Sequence, residues 1–305
     1  MHNTLIQMTI LMVLGASWRW MTPNQLQADQ VRLVLTTTVY YFFLPAMVLA
    51  VLWQADLGKQ SFQFALLGCS SISVGILVSA GLAKLLRFRP RQTGALILAA
   101  AFPNVTYLGL PVLEQTFGAL ARPVVLQLDL FAAAPMVFSI GIAIARHYGE
   151  DQTGQAAQSW LAGFNTPPFW AALLAVIFNL IQLPLPVWLL GLLEKMSAAV
   201  APLMIFSLGL ALSWRGLPWR NVAYLVPIAL IKLLLLPIWA VGMVAWINLD
   251  MSLRAASVMD IAMPSMVLGI VFCDRYKLDS ALYAAAVTLT TALSLLSLPF
   301  WYAQL

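Results

Sequence analysis

Residues 98–118 read LAAAFPNVTYLGLPVLEQTFG, a segment that is apolar enough to cross a bilayer but carries its own helix breakers. Breaking or polar residues occupy five of nine positions: Pro103, Asn104, Thr106, Gly109 and Pro111. A proline removes a backbone donor and clashes with the preceding turn, and in lipid an unsatisfied carbonyl finds no water. Either this segment does not span a membrane, or the break in its helix serves a function.

The composition of the whole chain indicates the class of protein. Hydrophobic residues form 62% of the 305 residues, charged residues form only 9%, and apolar runs recur from residue 4 to residue 303. This pattern predicts an all-α polytopic membrane protein without a separate soluble domain. The two cysteines, Cys69 and Cys273, and the two distant histidines encode no disulfide framework and no metal cluster. Neither a metal nor another cofactor is therefore expected.

Ten apolar runs have about the 20 residues that a helix needs to cross the hydrocarbon layer. They lie near residues 4–21, 31–53, 62–86, 92–118, 120–146, 164–183, 187–213, 219–246, 252–273 and 278–303. We refer to them as the first to tenth predicted helices. The fourth contains the segment quoted above.

Basic residues indicate the orientation of these helices, because cytoplasmic loops carry an excess of lysine and arginine. With the amino terminus outside, the cytoplasmic side receives eleven of the 16 basic residues: Arg19, Arg32, Lys84, Arg87, Arg89, Arg91, Arg146, Arg215, Arg220, Arg275 and Lys277. The outer side receives three, namely Lys59, Arg122 and Arg254, and Lys195 and Lys232 stay inside apolar runs. The net charge of +5 is therefore a sign of orientation in a lipid bilayer, and no nucleic-acid partner is predicted.

A polar stretch at residues 147–160 divides the chain into two sets of five helices. We predict a first repeat over residues 1–146, a cytoplasmic linker over 147–163 and a second repeat over 164–305. A repeat with an odd number of helices must enter the membrane from the opposite side in its second copy. The two halves are therefore predicted to be inverted.

Prolines at matching positions support this duplication. Pro45 in the second helix and Pro202 in the seventh are 157 residues apart, and each stands near the start of a small and aliphatic stretch. Pro103 in the fourth helix and Pro264 in the ninth are 161 residues apart, and each precedes a glycine by five or six residues. Two pairs at nearly the same offset predict an internal repeat. Interrupted helices at matching positions of two halves point to the binding site of a secondary transporter.

The motif NVTYLGLP, Asn104–Pro111, resembles the Asn-x-x-aromatic-Leu-Gly-x-Pro signature of the auxin efflux carrier family, and the AFP before it stands where that family breaks its fourth helix. The second half is similar as well, in NTPPFWAALLAVIFNLIQLPLP, in AAVAPLMIFSLGLAL and in MPSMVLGIVFCDRYKLDSALYAAAVTLTTALSLLSLPFW. The resemblance covers nearly the whole chain. It places the chain among bacterial-type members of the bile, arsenite and riboflavin transporter superfamily.

The resemblance implies a fold and a function. Ten helices would form two inverted repeats, with a scaffold of helices 1, 2, 6 and 7, a moving transport domain of helices 3–5 and 8–10, and unwound crossings in helices 4 and 9. Members carry organic anions, such as malate, malonate, lactate or auxin-like acids, by an elevator-type movement. A homodimer through the scaffold and a bacterial inner-membrane location follow from the same resemblance. This chain departs from the family pattern at Val105 and Thr106, which affects the expected substrate more than the fold.

Six residues at the two breaks are the predicted substrate contacts: Pro103, Asn104, Thr106, Gly109, Pro264 and Ser265. Asn104 either donates to a carboxylate or caps the following half-helix, and the two roles are compatible. Ser265 would close the opposite side of the site, and Gly109 would allow the other unwound segment to approach closely. The Thr106 hydroxyl either bonds within its own helix or contacts the ligand. Each break would also expose a helix amino terminus, equivalent to about half a positive charge.

Three charged residues, Asp129, Lys232 and Asp260, fall inside apolar runs. A charge at the bilayer centre costs about 2.5–3.5 kcal/mol on insertion scales, so these side chains are not expected to face lipid. Lys232 would form a structural ion pair with Asp129 or Asp260, or one of the acids would carry a coupled proton. An ionised Asp260 would repel an anion at the crossing, whereas a protonated one would not.

These features favour a secondary transporter of a small organic anion over the other classes considered. An enzyme should show a catalytic constellation, and the isolated His147 beside Glu150 and Asp151 does not form one. A channel has no need of breaks in both halves. The closest alternative is a sodium-coupled symporter of the bile-acid type on a related fold.

Overall fold

The computed structural model describes residues 2–55, 57–149, 167–211 and 222–305, and these are mostly helical. The helices before the predicted linker are α1 (His2–Met21), α2 (Ala28–Thr38), α3 (Leu44–Leu52), α4 (Lys59–Leu85), α5 (Pro90–Ala101), α6 (Leu110–Phe117), α7 (Ala121–Leu128), α8 (Ala134–Met136) and α9 (Ile142–Tyr148). Those after it are α10 (Pro167–Leu180), α11 (Val187–Ala211), α12 (Val222–Leu230), α13 (Leu236–Trp246), α14 (Met251–Ile261), α15 (Gly269–Arg275) and α16 (Ser280–Gln304). Residues 150–163 of the predicted linker, with Arg215 and Arg220, lie outside the described residues.

Wider π-helical turns interrupt these helices, and in the described part of the chain they are π1 (Val39–Phe43), π2 (Val105–Gly109), π3 (Asp129–Ala133), π4 (Val137–Gly141) and π5 (Ile231–Leu235). Four of these turns, all except π4, end two residues before a proline. The four prolines are Pro45, Pro111, Pro135 and Pro237. Proline lacks an N–H and crowds the carbonyl four residues earlier, so the turn before it opens. The prolines thus bend and widen these helices without ending them.

Six helices are long and apolar enough to cross a membrane in the described part of the chain. They cover Ala28–Leu52, Lys59–Leu85, Val105–Tyr148, Val187–Ser207, Tyr224–Trp246 and Ser280–Gln304, and shorter apolar helices cover Ile10–Met21 and Pro167–Leu180. The chain is therefore an all-helical, multi-pass membrane protein. The count of ten membrane helices in two inverted repeats stays a prediction.

The fourth and ninth predicted helices are interrupted at their prolines. Helix α5 ends at Ala101, two residues before Pro103, and α14 ends at Ile261, three residues before Pro264. With 12 residues, α5 extends about 18 Å, whereas the hydrocarbon layer is about 30 Å thick. Neither α5 nor α14 is long enough to cross the layer as one helix. Each must continue through a segment of different backbone geometry.

The chain divides into two compact units, and each is discontinuous in sequence. The first unit comprises residues 1–62, 106–126 and 165–212. It holds segments of the first, second, sixth and seventh predicted helices, and it adds 106–126, which the resemblance assigns to the transport domain. The second unit comprises residues 63–105, 127–164 and 213–305. The scaffold and transport roles of these helices stay a prediction.

Small residues allow close helix packing inside the first unit. A methyl group added at Gly15 of α1 would lie 2.2 Å from the carbonyl oxygen of Phe206, and one at Gly209 of α11 would lie 2.1 Å from that of Met12. Such contacts are typical of membrane helices, which associate through packing rather than through the hydrophobic effect. The Arg19 Nη2 also donates to the Leu210 carbonyl at 2.8 Å and thus fixes α1 against the end of α11.

Tyr283 of α16 holds the second unit together near the second break. Its buried hydroxyl donates to the Met266 carbonyl at 2.6 Å. A methyl group at Gly269 would lie 2.0 Å from this hydroxyl oxygen, which is closer than atoms approach. The first residue of α15 must therefore be a glycine if Tyr283 is to keep its position.

We expect Gly269→Ala to lower the melting temperature of the purified protein. Overpacking of a well-packed interior costs about 1–3 kcal/mol, and here it would displace a buried hydrogen bond. The matched control is Gly242→Ala in α13, where a methyl group would meet nothing within 4 Å. Adding Tyr283→Phe should not restore the loss, because the ring carbon that bears the hydroxyl would still lie 2.4 Å from the added methyl group. An unchanged melting temperature of Gly269→Ala would contradict this packing.

Candidate functional site

The two interrupted helices of the second unit meet through extended backbone. Pro103 and Ser265 form an isolated antiparallel bridge. The Asn104 N–H donates to the Pro264 carbonyl at 2.8 Å, and the Met266 N–H donates to the Phe102 carbonyl at 3.0 Å. We call residues 102–104 and 264–266 the crossing. Because each strand satisfies backbone groups that the other strand's helix has released, the broken helices remain compatible with an apolar environment.

Helix α16 anchors one side of the crossing. The Ser265 N–H donates to the Thr290 hydroxyl at 3.1 Å, and this hydroxyl donates in turn to the Ala286 carbonyl at 2.8 Å. Together with Tyr283, Thr290 thus holds residues 264–266 in place. The sequence analysis missed both residues. Polar residues at helical spacing in an apolar helix, Thr290, Thr291 and Ser294, were the available signal.

Two side chains of the crossing bury polar atoms without an internal partner. Asn104 is 1% exposed and Ser265 is 0% exposed. Three side-chain atoms have no hydrogen-bond partner within the described residues. They are Oδ1 and Nδ2 of Asn104 and Oγ of Ser265. Leaving such a group unpaired in the interior costs about 1–3 kcal/mol. Asn104 therefore does not act as a helix cap, and both side chains are available to bind a polar ligand.

The two breaks are not symmetric. A helical turn, π2, begins at Val105 directly after Asn104, so the N–H groups at its start lie next to the crossing. After the second break, α15 begins only at Gly269 and is seven residues long. The bonds from Thr290 and Tyr283 keep the chain around Ser265 non-helical. The half-helix after the second break therefore begins at Gly269, four residues after Ser265.

Thr106 and Gly109 are the two predicted contacts that lie outside the second unit. Both belong to π2 and fall within residues 106–126 of the first unit. Thr106 is buried, and Gly109 has ordinary right-handed helical angles. Their part in binding, like that of Val105, stays a prediction.

Lys232 and Asp260 are fully buried in the second unit, and both are 0% exposed. The Lys232 ammonium donates to the Ile261 carbonyl at 3.3 Å and interacts electrostatically with the Asp260 carboxylate. Neither oxygen of that carboxylate has a hydrogen-bond partner within the described residues. Lys232 and Asp260 thus interact electrostatically without a hydrogen bond between their side chains, and the structural ion pair of Lys232 with Asp129 or Asp260 stays a prediction.

Asp129 is the third predicted charged group. It is the first residue of π3, is half-buried and interacts electrostatically with Asp260. The Asp260 carboxylate, near the end of α14, thus interacts electrostatically with both Lys232 and Asp129. Whether either acid carries a proton stays a prediction.

The crossing has the groups needed to bind a carboxylate. The Asn104 amide and the Ser265 hydroxyl supply donors, and the turn that begins at Val105 supplies the positive end of a helix. In the described residues, no group of three or more histidine, cysteine or acidic side chains is placed to hold a metal ion.

Comparison with known proteins identifies relatives of the chain. A family model described as "Membrane transport protein" matches residues 2–152 and again residues 152–302. The two matches meet inside the polar stretch at residues 147–160. An uncharacterised transporter of Methanothermobacter thermautotrophicus is 31% identical over 277 residues, which are 88% of this chain and 87% of that relative. An uncharacterised transporter of Methanocaldococcus jannaschii is 26% identical over 278 residues, which are 88% of each chain.

Proposed function

Because the chain belongs to the membrane transport protein family, which is the family of the auxin efflux carriers, we propose that it is a secondary active transporter of a small organic anion. The observation that carries this proposal is the buried crossing, at which Asn104 and Ser265 keep unpaired polar atoms. A protein that only needed to pack these segments would be more stable with apolar side chains there. A ligand that pairs with these atoms explains their retention.

The donors at the crossing favour a carboxylate as the ligand group. The Asn104 amide and the Ser265 hydroxyl would donate to its oxygens, and hydrogen bonds to a charged group are about twice as strong as neutral ones. The helical turn that begins at Val105 adds about half a positive charge. We propose a mono- or dicarboxylate, such as malate, malonate or lactate, or an auxin-like acid.

The transport cycle that we propose is an elevator-type movement of two inverted repeats. The family model matches the chain twice, and the matches divide it near the predicted linker. The matched breaks at Pro103 and Pro264 support the same duplication. We further propose a homodimer, the bacterial inner membrane as the location and an amino terminus outside, since the basic residues favour this orientation.

Coupling to protons is the form of energy input that we propose. Asp260 is fully buried, lies four residues before Pro264 in the sequence and has no hydrogen bond within the described residues. When ionised, it would repel an anion at the crossing, and protonation would remove this repulsion. Uptake of a proton would then accompany uptake of the anion.

A thermal-shift screen of the purified protein against mono- and dicarboxylates tests this function. A ligand that binds only the folded state raises the melting temperature, with about 2.7 kcal/mol of stabilisation at a concentration of 100 times its Kd. We expect at least one carboxylate to raise it, and the corresponding uncharged amide to have no effect. The matched control protein is Ser265→Ala, which removes one donor and should weaken the response. No shift with any carboxylate would contradict the proposed site.

A further inference from the structure

Lys232 is a cation that the chain buries completely in the second unit. A lone ammonium in an apolar interior is so unfavourable that it must be compensated by oxygen atoms or opposite charge. The anion site proposed above does not explain this burial, because the Lys232 ammonium donates its hydrogen bond to the Ile261 carbonyl. Its position therefore needs an explanation of its own.

The backbone around Lys232 is built to aim this side chain. Lys232 lies in π5, which opens because Pro237 has no N–H to offer the Leu233 carbonyl. The indole N–H of Trp301 donates to that carbonyl at 2.8 Å instead. Helices α5 and α16 both pack against π5 within the same unit. The lysine is thus held on a widened turn whose freed carbonyl has a dedicated partner.

The ammonium faces the carboxyl-terminal end of α14. Ile261, whose carbonyl it contacts at 3.3 Å, is the last residue of that helix, and Asp260 precedes it. Helix carboxyl ends carry about half a negative charge. In transporters with broken helices, such ends and unwound carbonyls are the ligands of coupling cations. Lys232 is therefore directed to a place that suits a small cation.

We propose that the Lys232 ammonium fills the position of a coupling cation at the end of α14, so that this chain does not bind sodium. The ammonium supplies the positive charge that the Ile261 carbonyl and the Asp260 carboxylate would otherwise obtain from an ion. Asp129, the other acid near Asp260, belongs to the same charge balance. This inference rests on the proposed transport function in one respect, namely that the cation which Lys232 replaces is a coupling ion.

The test compares melting temperatures of the full-length protein in equimolar sodium chloride and choline chloride, without any carboxylate. We expect the wild-type protein to melt at the same temperature in both salts. In Lys232→Met, sodium should enter beside Asp260 and raise the melting temperature by at least about 2 °C. The matched control is Lys195→Met, which removes the other lysine of an apolar run, one that is exposed on α11. It should respond to neither salt.

Two results would overturn the proposal. One is a sodium-dependent rise in the wild-type protein, and the other is a Lys232→Met protein that stays as indifferent to sodium as the wild type. If Lys232→Met does not fold, Lys232→Gln keeps a donor for the Ile261 carbonyl and serves in its place. Because no carboxylate is present, the result does not depend on whether the anion site is assigned correctly. If no carboxylate raises the melting temperature but the sodium results are as expected, only the proposed function is contradicted.

Discussion

Replacing Asn104 by leucine is expected to weaken the response to carboxylates strongly while the folded protein keeps or gains stability. The amide is 1% exposed, and both its polar atoms lack a partner within the described residues. Relief of this unpaired burial is worth about 1–3 kcal/mol, and leucine has the same branched arrangement of side-chain heavy atoms. Loss of hydrogen bonds to a charged ligand costs about 1.5–3 kcal/mol, which weakens binding about 10- to 150-fold. Melting temperatures with and without the carboxylate, and uptake into proteoliposomes, measure the two effects.

The control for this substitution is Ser79→Ala in α4 of the same unit. The Ser79 hydroxyl is also buried, but it donates to the Gly75 carbonyl at 2.6 Å. Its removal should leave both carboxylate response and uptake unchanged. An Asn104→Leu protein that loses stability and still binds the carboxylate would show that Asn104 is a structural residue. The opposite directions of the two readouts separate a ligand contact from a packing contact.

The positions of the two breaks were predictable because they follow from local chemistry. Proline cannot donate and crowds the preceding turn wherever the helix lies, so Pro103 and Pro264 mark the ends of α5 and α14 to within three residues. Composition likewise predicted the membrane class, because 62% hydrophobic residues exceed what a soluble fold of this length uses. Both predictions depend on neighbours in sequence and need no tertiary contact.

The partners of the crossing were not predictable, because they come from distant parts of the chain. Which of the polar residues in α16 would bond to Ser265 depends on the rotation of that helix, and apolar residues on all its faces hide this rotation. The same holds for Trp301, which pairs with the Leu233 carbonyl 68 residues away. The asymmetry of the two breaks also depends on these contacts. Sequence similarity between the halves suggested more symmetry than the packing allows.

The partners of the buried charges were likewise not predictable from the sequence. Their cost in lipid predicted that Lys232 and Asp260 would lie inside the protein, and both are fully buried. The cost did not say which atoms would compensate them. The ammonium bonds to a backbone carbonyl rather than to a carboxylate oxygen, because π5 directs it to the end of α14. The Asp260 carboxylate has no hydrogen-bond partner within the described residues, and its role as a proton carrier stays a prediction.

Replacing Asp260 by asparagine is expected to remove the pH dependence of anion uptake. In the wild-type protein a fall in pH favours the protonated, neutral carboxyl group, so repulsion of the anion weakens and apparent affinity rises. Binding that takes up one proton changes the affinity by up to about tenfold per pH unit. Asparagine is neutral at every pH and keeps a similar shape, so its uptake should stay constant. Uptake into proteoliposomes is measured across a pH range in which the substrate itself remains fully ionised.

Asp129→Asn is the comparison that assigns the effect to one acid. Asp129 and Lys232 both interact electrostatically with Asp260, and both stay in place in Asp260→Asn. If Asp260 is the proton carrier, Asp129→Asn keeps a pH dependence of the same sign, because the carboxyl group that titrates at the crossing is retained. Loss of the pH dependence in Asp129→Asn alone would move the carrier to π3. An Asp260→Asn protein with the wild-type pH profile would remove Asp260 from the coupling mechanism, and the lysine beside it would then serve only to compensate charge.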